Sequence, residues 1–113
     1  IEPQSYINFV ALMKSARFVL TDSGGIQEET TFLQIPCITM RTTTERPVTQ
    51  FIGTNILIPP DKNRIAQAIN DILHKPPSNT GIPPLWDGKA SERIAQTLVG
   101  ICNMLNDIKN RDV

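Results

Sequence analysis

Phe18-Val19-Leu20-Thr21-Asp22-Ser23-Gly24-Gly25-Ile26-Gln27-Glu28-Glu29 is the stretch on which the fold turns. Its first four residues form a short run that stops at Asp-Ser-Gly-Gly, the pattern of a buried strand ended by a tight turn. The spacing that follows predicts a helix over about 25–33, with Ile26, Thr30 and Leu33 on its inner face. A strand whose carboxyl end runs straight into a helix N-terminus forms the ligand edge of an open parallel sheet.

The same alternation extends in both directions. Upstream, Tyr6, Phe9, Val10 and Met13 recur at helical spacing, which predicts a helix over about 3–15 with Pro3 in its first turn and these residues in the core. Downstream, Cys37-Ile38-Thr39-Met40 and Asn55-Ile56-Leu57-Ile58 are further buried strands, separated by a polar loop and a short helical turn near 47–52. Asp61 caps the next helix, whose Ile65, Ile69, Ile72 and Leu73 share a face. Residues 75–88 hold four prolines and two glycines and predict a surface loop; a last helix over about 89–109 places Ile94, Leu98, Ile101, Leu105 and Ile108 on one stripe.

Strands that are continuously apolar and alternate with helices predict an α/β fold with a Rossmann-like parallel sheet between two helical layers. Three strands make a thin sheet for an independent doubly wound domain, and the chain opens on Ile1 rather than Met. The expectation is therefore a partial domain over residues 1–113, with upstream strands belonging to a longer protein.

Composition narrows the function. The 113 residues carry 11 Lys+Arg against 11 Asp+Glu and no basic run, which argues against nucleic acid or an anionic membrane as partner. No apolar stretch approaches a membrane span, and no signal-peptide pattern is present. Cys37 and Cys102 lie in apolar segments without metal-ligand spacing; both are expected to be buried reduced thiols, with no metal and a cytoplasmic location.

The Ser23-Gly24-Gly25 turn is suited to a phosphate. Helix N–H groups and the positive end of the helix dipole converge there, and two glycines remove the Cβ atoms that would hold an anion off the backbone. Ser23 either caps the helix or gives its hydroxyl to a phosphate oxygen. Glu29 lies one turn beyond Gly25 on a similar side, within reach of ribose hydroxyls, whereas Glu28 is rotated about 100° away. The competing reading is a capped tight turn with no ligand, and spacing does not choose between them. Neither a dinucleotide GxGxxG nor a P-loop pattern is present.

Arg41-Thr42-Thr43-Thr44-Glu45-Arg46-Pro47 follows the second strand and falls on the same sheet edge. An arginine there suits a diphosphate, although spacing does not separate Arg46 from Arg41. His74, in the last turn of its helix, reads as structural, and Trp86 as an anchor of the long loop.

Ile1-Glu2-Pro3-Gln4-Ser5-Tyr6, Leu20 to Glu29, Thr44-Glu45-Arg46-Pro47 and Asp87-Gly88-Lys89-Ala90-Ser91-Glu92-Arg93-Ile94 together resemble, in order, the non-hydrolysing UDP-N-acetylglucosamine 2-epimerases of bacteria. The resemblance implies the C-terminal part of a two-domain glycosyltransferase-B-type fold and interconversion of UDP-GlcNAc and UDP-ManNAc by UDP elimination and re-addition. It implies no cofactor, a UDP-sugar substrate, an N-terminal domain outside this chain as partner, and a homodimer. It also implies UDP binding by Ser23, Gly24, Gly25, Glu29 and Arg46, with Gln4 and Phe9 toward the uracil, and acid/base carboxylates outside this chain. Gln34 departs from the family's common Gly, Thr42 from an acidic residue, Val48 from a Glu and Leu85-Trp86 from a Tyr-Gly pair. A glycosyltransferase of the same fold and a non-enzymatic assembly module are the competing functions.

Overall fold

In the computed structural model, residues 1–75, 77 and 80–111 are described, without the side chains of 110 and 111. They divide into two compact units, residues 1–83 and 84–113. The first contains α1 (Tyr6–Ser15), β1 (Val19–Thr21), α2 (Gly24–Leu33), β2 (Cys37–Thr39), α3 (Val48–Phe51), β3 (Asn55–Leu57) and α4 (Lys62–His74); the second contains α5 (Ala90–Arg111).

The strands form one parallel sheet in the order β1-β2-β3. Cys37 aligns with Val19 and Asn55, and Thr39 with Thr21 and Leu57. Bonds from Val19 N to Pro36 O, Met40 N to Thr21 O and Ile58 N to Thr39 O carry the ladder one residue past the paired segments. This is the expected α/β arrangement, with each strand trimmed at its ends.

β2 is central and buried throughout, and its alternating side chains serve two different faces. Ile38 faces Ile58 and Ile72, with Phe18, Ile65, Ala68 and Ile69 packed around them, so α4 seals an apolar face. Cys37 and Thr39 turn the other way, where burial pushes the Cys37 thiol up from its ordinary value. That side is polar: Gln27, Thr30, Thr31, Thr49 and Asn55 are all buried there or beside it. Buried polar groups are costly unless hydrogen-bonded, and Gln27, Thr30, Thr49 and Asn55 all make side-chain hydrogen bonds, whereas the Thr31 hydroxyl has no partner among the described residues.

Several expectations are corrected. α1 begins at Tyr6, not Pro3, because Ser5 Oγ accepts from Asn8 N and sets the cap. Of its apolar residues only Met13 is buried; Tyr6 is 68% exposed and Phe9 38%. The inner face of α2 is Gln27, Thr30 and Thr31, while Ile26 and Leu33 are half-buried. Leu73 and Cys102 are exposed. The Asp61 cap is as expected, with Oδ1 accepting from Arg64 N at 2.8 Å. His74 closes α4 with Nδ1 2.8 Å from Asn70 O, a structural contact.

Gln34 follows α2 with φ 58°, a left-handed conformation. Its side chain compensates: Nε2 donates to Thr31 O and Gly81 O, and Oε1 accepts from Thr80 Oγ1. Gln34→Ala keeps the strained φ and loses these bonds, whereas Gln34→Gly removes the strain. The glycine variant is expected to be about 1 kcal/mol more stable than the alanine variant in urea denaturation, an order that reverses if the backbone is unstrained.

In the second unit, Arg93 grips Asp87 with two bonds of 3.0 Å and donates a third to Leu85 O, while Asp87 Oδ1 also accepts from Lys89 N. Arg93 first, then the Lys89 N–H, lowers the Asp87 carboxyl from 3.8 to about 2. A carboxyl depressed on folding stabilises above its unfolded pKa, and the contribution is lost as pH falls from 3.8 toward 2. Carboxyl-carbon NMR is expected to put the Asp87 midpoint near 2, and Arg93→Gln to return it toward 3.8. A midpoint unmoved by the substitution would remove Arg93 as the cause. The described residues of α5 carry Ile94, Leu98, Ile101, Leu105 and Ile108 exposed, and no described helix is long and apolar enough to cross a membrane.

Candidate functional site

The carboxyl end of β1 and the start of α2 form the expected turn. Thr21 Oγ1 accepts from Ser23 N at 3.0 Å and shapes the exit from the strand. Ser23 occupies the position before the helix, yet its hydroxyl makes no capping bond. The helix mouth, with the N–H groups of Gly24, Gly25 and Ile26, is thus left uncapped by the residue best placed to cap it. Gly25 is exposed, and a Cβ built on it would meet nothing within 4 Å.

Gly24 is crowded by the Arg46 segment. A Cβ there would collide with Arg46 Nη1 and come within 3.0 Å of Arg46 Cζ and Glu45 Oε1. The guanidinium therefore lies directly over Gly24, and the structure separates the two arginines that spacing left equivalent. Arg46 meets the turn, while Arg41 pairs with Glu45 Oε2 at 3.2 Å. Arg46 is itself flanked by carboxylates, with Nε 3.0 Å from Glu28 Oε2 and Nη1 2.6 Å from Glu45 Oε1. The Nε contact is good in distance but poorly aligned, so charge rather than a directed hydrogen bond holds Glu28. Glu28, then Glu45, raises the Arg46 pKa; Glu45 is lowered by its own backbone N–H, then by Arg41 and Arg46. The Glu28 contact was missed in the sequence because it joins residues 18 positions apart, with no periodicity to reveal it.

Behind this surface is a buried set of bonds. Gln27 Oε1 accepts from Thr44 Oγ1 at 2.7 Å and Asn55 Nδ2 at 3.1 Å, and Gln27 Nε2 donates to Ser23 O at 3.4 Å. Thr44 Oγ1 accepts from Arg46 N, and Thr49 Oγ1 donates to Arg46 O while accepting from Asn55 Nδ2. Thr39 Oγ1 completes Asn55 by donating to Oδ1 at 2.6 Å. Sequence patterning passed over Gln27 because a polar residue in a helix ordinarily marks a solvated face, and over Asn55 because its partners lie 6 to 28 positions away.

Of the other anticipated residues, Glu29 is half-buried one turn into α2. Gln4 is exposed ahead of α1, its Nε2 donating to Glu2 O, and among the described residues no hydrogen bond joins Gln4 or Phe9 to the Ser23 turn.

Residues 1–99 match the family model described as UDP-N-acetylglucosamine 2-epimerase. The chain belongs to the UDP-N-acetylglucosamine 2-epimerase family. It is 44% identical over 98 residues to the UDP-N-acetylglucosamine 2-epimerase of Methanocaldococcus jannaschii, covering 87% of this chain and 26% of that protein. With the Escherichia coli K12 enzyme of the same name it shares 42% over 102 residues, again 87% of this chain and 27% of the relative. The M. jannaschii 2-epimerase structure in complex with UDP-GlcNAc and UDP superposes with a TM-score of 0.76 at 43% identity, over 88% of this chain and 27% of that one. The Neisseria meningitidis 2-epimerase bound to UDP-GlcNAc gives 0.73 at 38%, over 88% and 28%. The chain thus spans about a quarter of the length of these 2-epimerases, and its parallel α/β unit is theirs.

Proposed function

We propose that this chain is the UDP-binding part of a UDP-GlcNAc 2-epimerase, within the C-terminal domain of a two-domain protein. The observation that carries the reading is the Arg46 guanidinium over Gly24, at the uncapped mouth of α2. Backbone amides and a fixed cation converge there on a space an anion can enter. In this reading the diphosphate rests on Ser23, Gly24 and Gly25, Arg46 exchanges carboxylate for phosphate oxygens, and Glu29 accepts from the ribose hydroxyls. Gln4 and Phe9 serve the uracil end.

The reaction removes the C2 proton as the C1–O bond to UDP breaks, leaving a 2-acetamidoglucal. UDP then re-adds with a proton delivered to the opposite face. This chain's contribution is to stabilise the negative charge that grows on the departing diphosphate. Carboxylates outside the chain move the proton. Cytoplasmic location and a homodimeric whole protein accompany the reading.

The test is to supply the full-length protein with UDP-GlcNAc and follow UDP-ManNAc by proton NMR in deuterated water. Epimerisation with deuterium entering C2 is expected. Sugar transfer to an acceptor without exchange at C2 would instead establish the glycosyltransferase.

A further inference from the structure

Gln27, Thr44, Arg46, Thr49 and Asn55 close a ring of hydrogen bonds. Asn55 Nδ2 donates both to Gln27 Oε1 and to Thr49 Oγ1, Thr49 donates to Arg46 O, Arg46 N donates to Thr44 Oγ1, and Thr44 donates back to Gln27 Oε1. Every donor and acceptor is used consistently: both amide hydrogens of Asn55 are spent, and each threonine accepts one bond and gives one. The backbone N–H and C=O of Arg46 are both held within it. The ring is also tied to the opposite wall of the site, because Gln27 Nε2 donates to Ser23 O.

Resting on the reading of Arg46 as a diphosphate ligand, we propose that Gln27 is a positioning residue, whose carboxamide sets the Thr44–Arg46 segment at the height where the guanidinium covers Gly24. The proposal stands on placement. Gln27 is fully buried, one turn below the helix mouth, and touches the turn, the arginine segment and β3 with a single side chain. A residue serving stability alone at this spot would be met by an apolar side chain, as Ile38 is on the opposite face of the sheet. The carboxamide instead costs desolvation, which its bonds to Ser23 O, Thr44 Oγ1 and Asn55 Nδ2 offset. Holding the Arg46 backbone at both its N–H and its C=O removes main-chain freedom that would otherwise be lost when the guanidinium binds.

The experiment is a double-mutant cycle in the full-length protein, with UDP titrated calorimetrically. Arg46→Ala alone is expected to weaken UDP by at least about tenfold; an unchanged affinity removes Arg46 as a ligand, and with it the reading on which the positioning role rests. Gln27→Met, which keeps volume but makes no hydrogen bonds, is expected to weaken UDP by about five- to tenfold in the wild-type background and by less than twofold when Arg46 is already Ala. A loss that persists in the Arg46→Ala background overturns the proposal, placing the effect of Gln27 in the Ser23 turn or in the general fold. Thr44→Val breaks the same ring at its half-exposed end and tests it should Gln27→Met not fold. Its loss of affinity is expected to vanish likewise in the Arg46→Ala background and to be recovered by Thr44→Ser, which restores the hydroxyl; failure of the serine to recover binding overturns the proposal.

Discussion

Gly25→Ala is expected to leave folding intact and to weaken UDP binding by roughly 10–100-fold, the loss of one or two charge-assisted bonds to backbone amides. A Cβ at Gly25 meets no protein atom within 4 Å, so nothing inside the fold requires a glycine there. Alanine in the first turn of α2 raises helix propensity, and the unfolding free energy is expected to be unchanged or to rise by up to about 1 kcal/mol. The methyl group does obstruct whatever approaches the helix mouth from outside. Stability and binding therefore move in opposite directions, an outcome that misfolding cannot imitate. Gly24→Ala is a useful companion, because its Cβ pushes against the side-chain ends of Arg46 and Glu45, which give way by disturbing their ion pairs rather than the backbone. Equal UDP affinity for wild type and Gly25→Ala, by calorimetry on the full-length protein, would show that no phosphate rests on these amides.

Gly53→Ala is expected to do the reverse and to destabilise by about 1–3 kcal/mol, the range for overpacking where the backbone must move. A Cβ on Gly53 would overlap Thr31 Oγ1, lie 2.5 Å from Thr31 Cγ2 and come within 2.6 Å of Thr49 O. Thr31 is fully buried on α2, and Thr49 O belongs to the backbone of α3, so neither can rotate out of the way. The two helices have to separate, which strains the ring at Thr49 and loosens Arg46 with it. Thr31→Ala clears two of the three contacts and is expected to recover part of the loss in the double variant, while the clash with Thr49 O remains. The midpoint of urea unfolding measures both; a midpoint unmoved by Gly53→Ala would mean that α2 and α3 are not held at this distance.

Much of the architecture was legible because it rests on local rules. Continuous apolar runs at 18–21, 37–40 and 55–58 marked the three strands, but only β2 is covered on both faces, since Leu20 of β1 and Ile56 of β3 are exposed. Asp61 announced a helix with a cap that forms as anticipated. The failures are also physical. Tyr6 and Phe9 lie at core spacing on α1, yet periodicity identifies an apolar face without specifying whether anything covers it. Cys102 was misjudged for the same reason: an apolar neighbourhood in the chain is not a buried one in space.

By itself, then, the amino-acid order determined the strand–turn–helix unit, the parallel sheet and the position of the glycine-flanked mouth of α2. Each of these follows from hydrogen bonding and periodicity among residues a few positions apart. Tertiary structure alone decided that Arg46 rather than Arg41 covers Gly24, that Glu28 faces that arginine, and that Gln27 is interior. Those outcomes depend on contacts across 17 to 28 positions, such as Gln27 with Thr44 and Asn55, and no local propensity encodes which side chains meet once the crossover helices have docked.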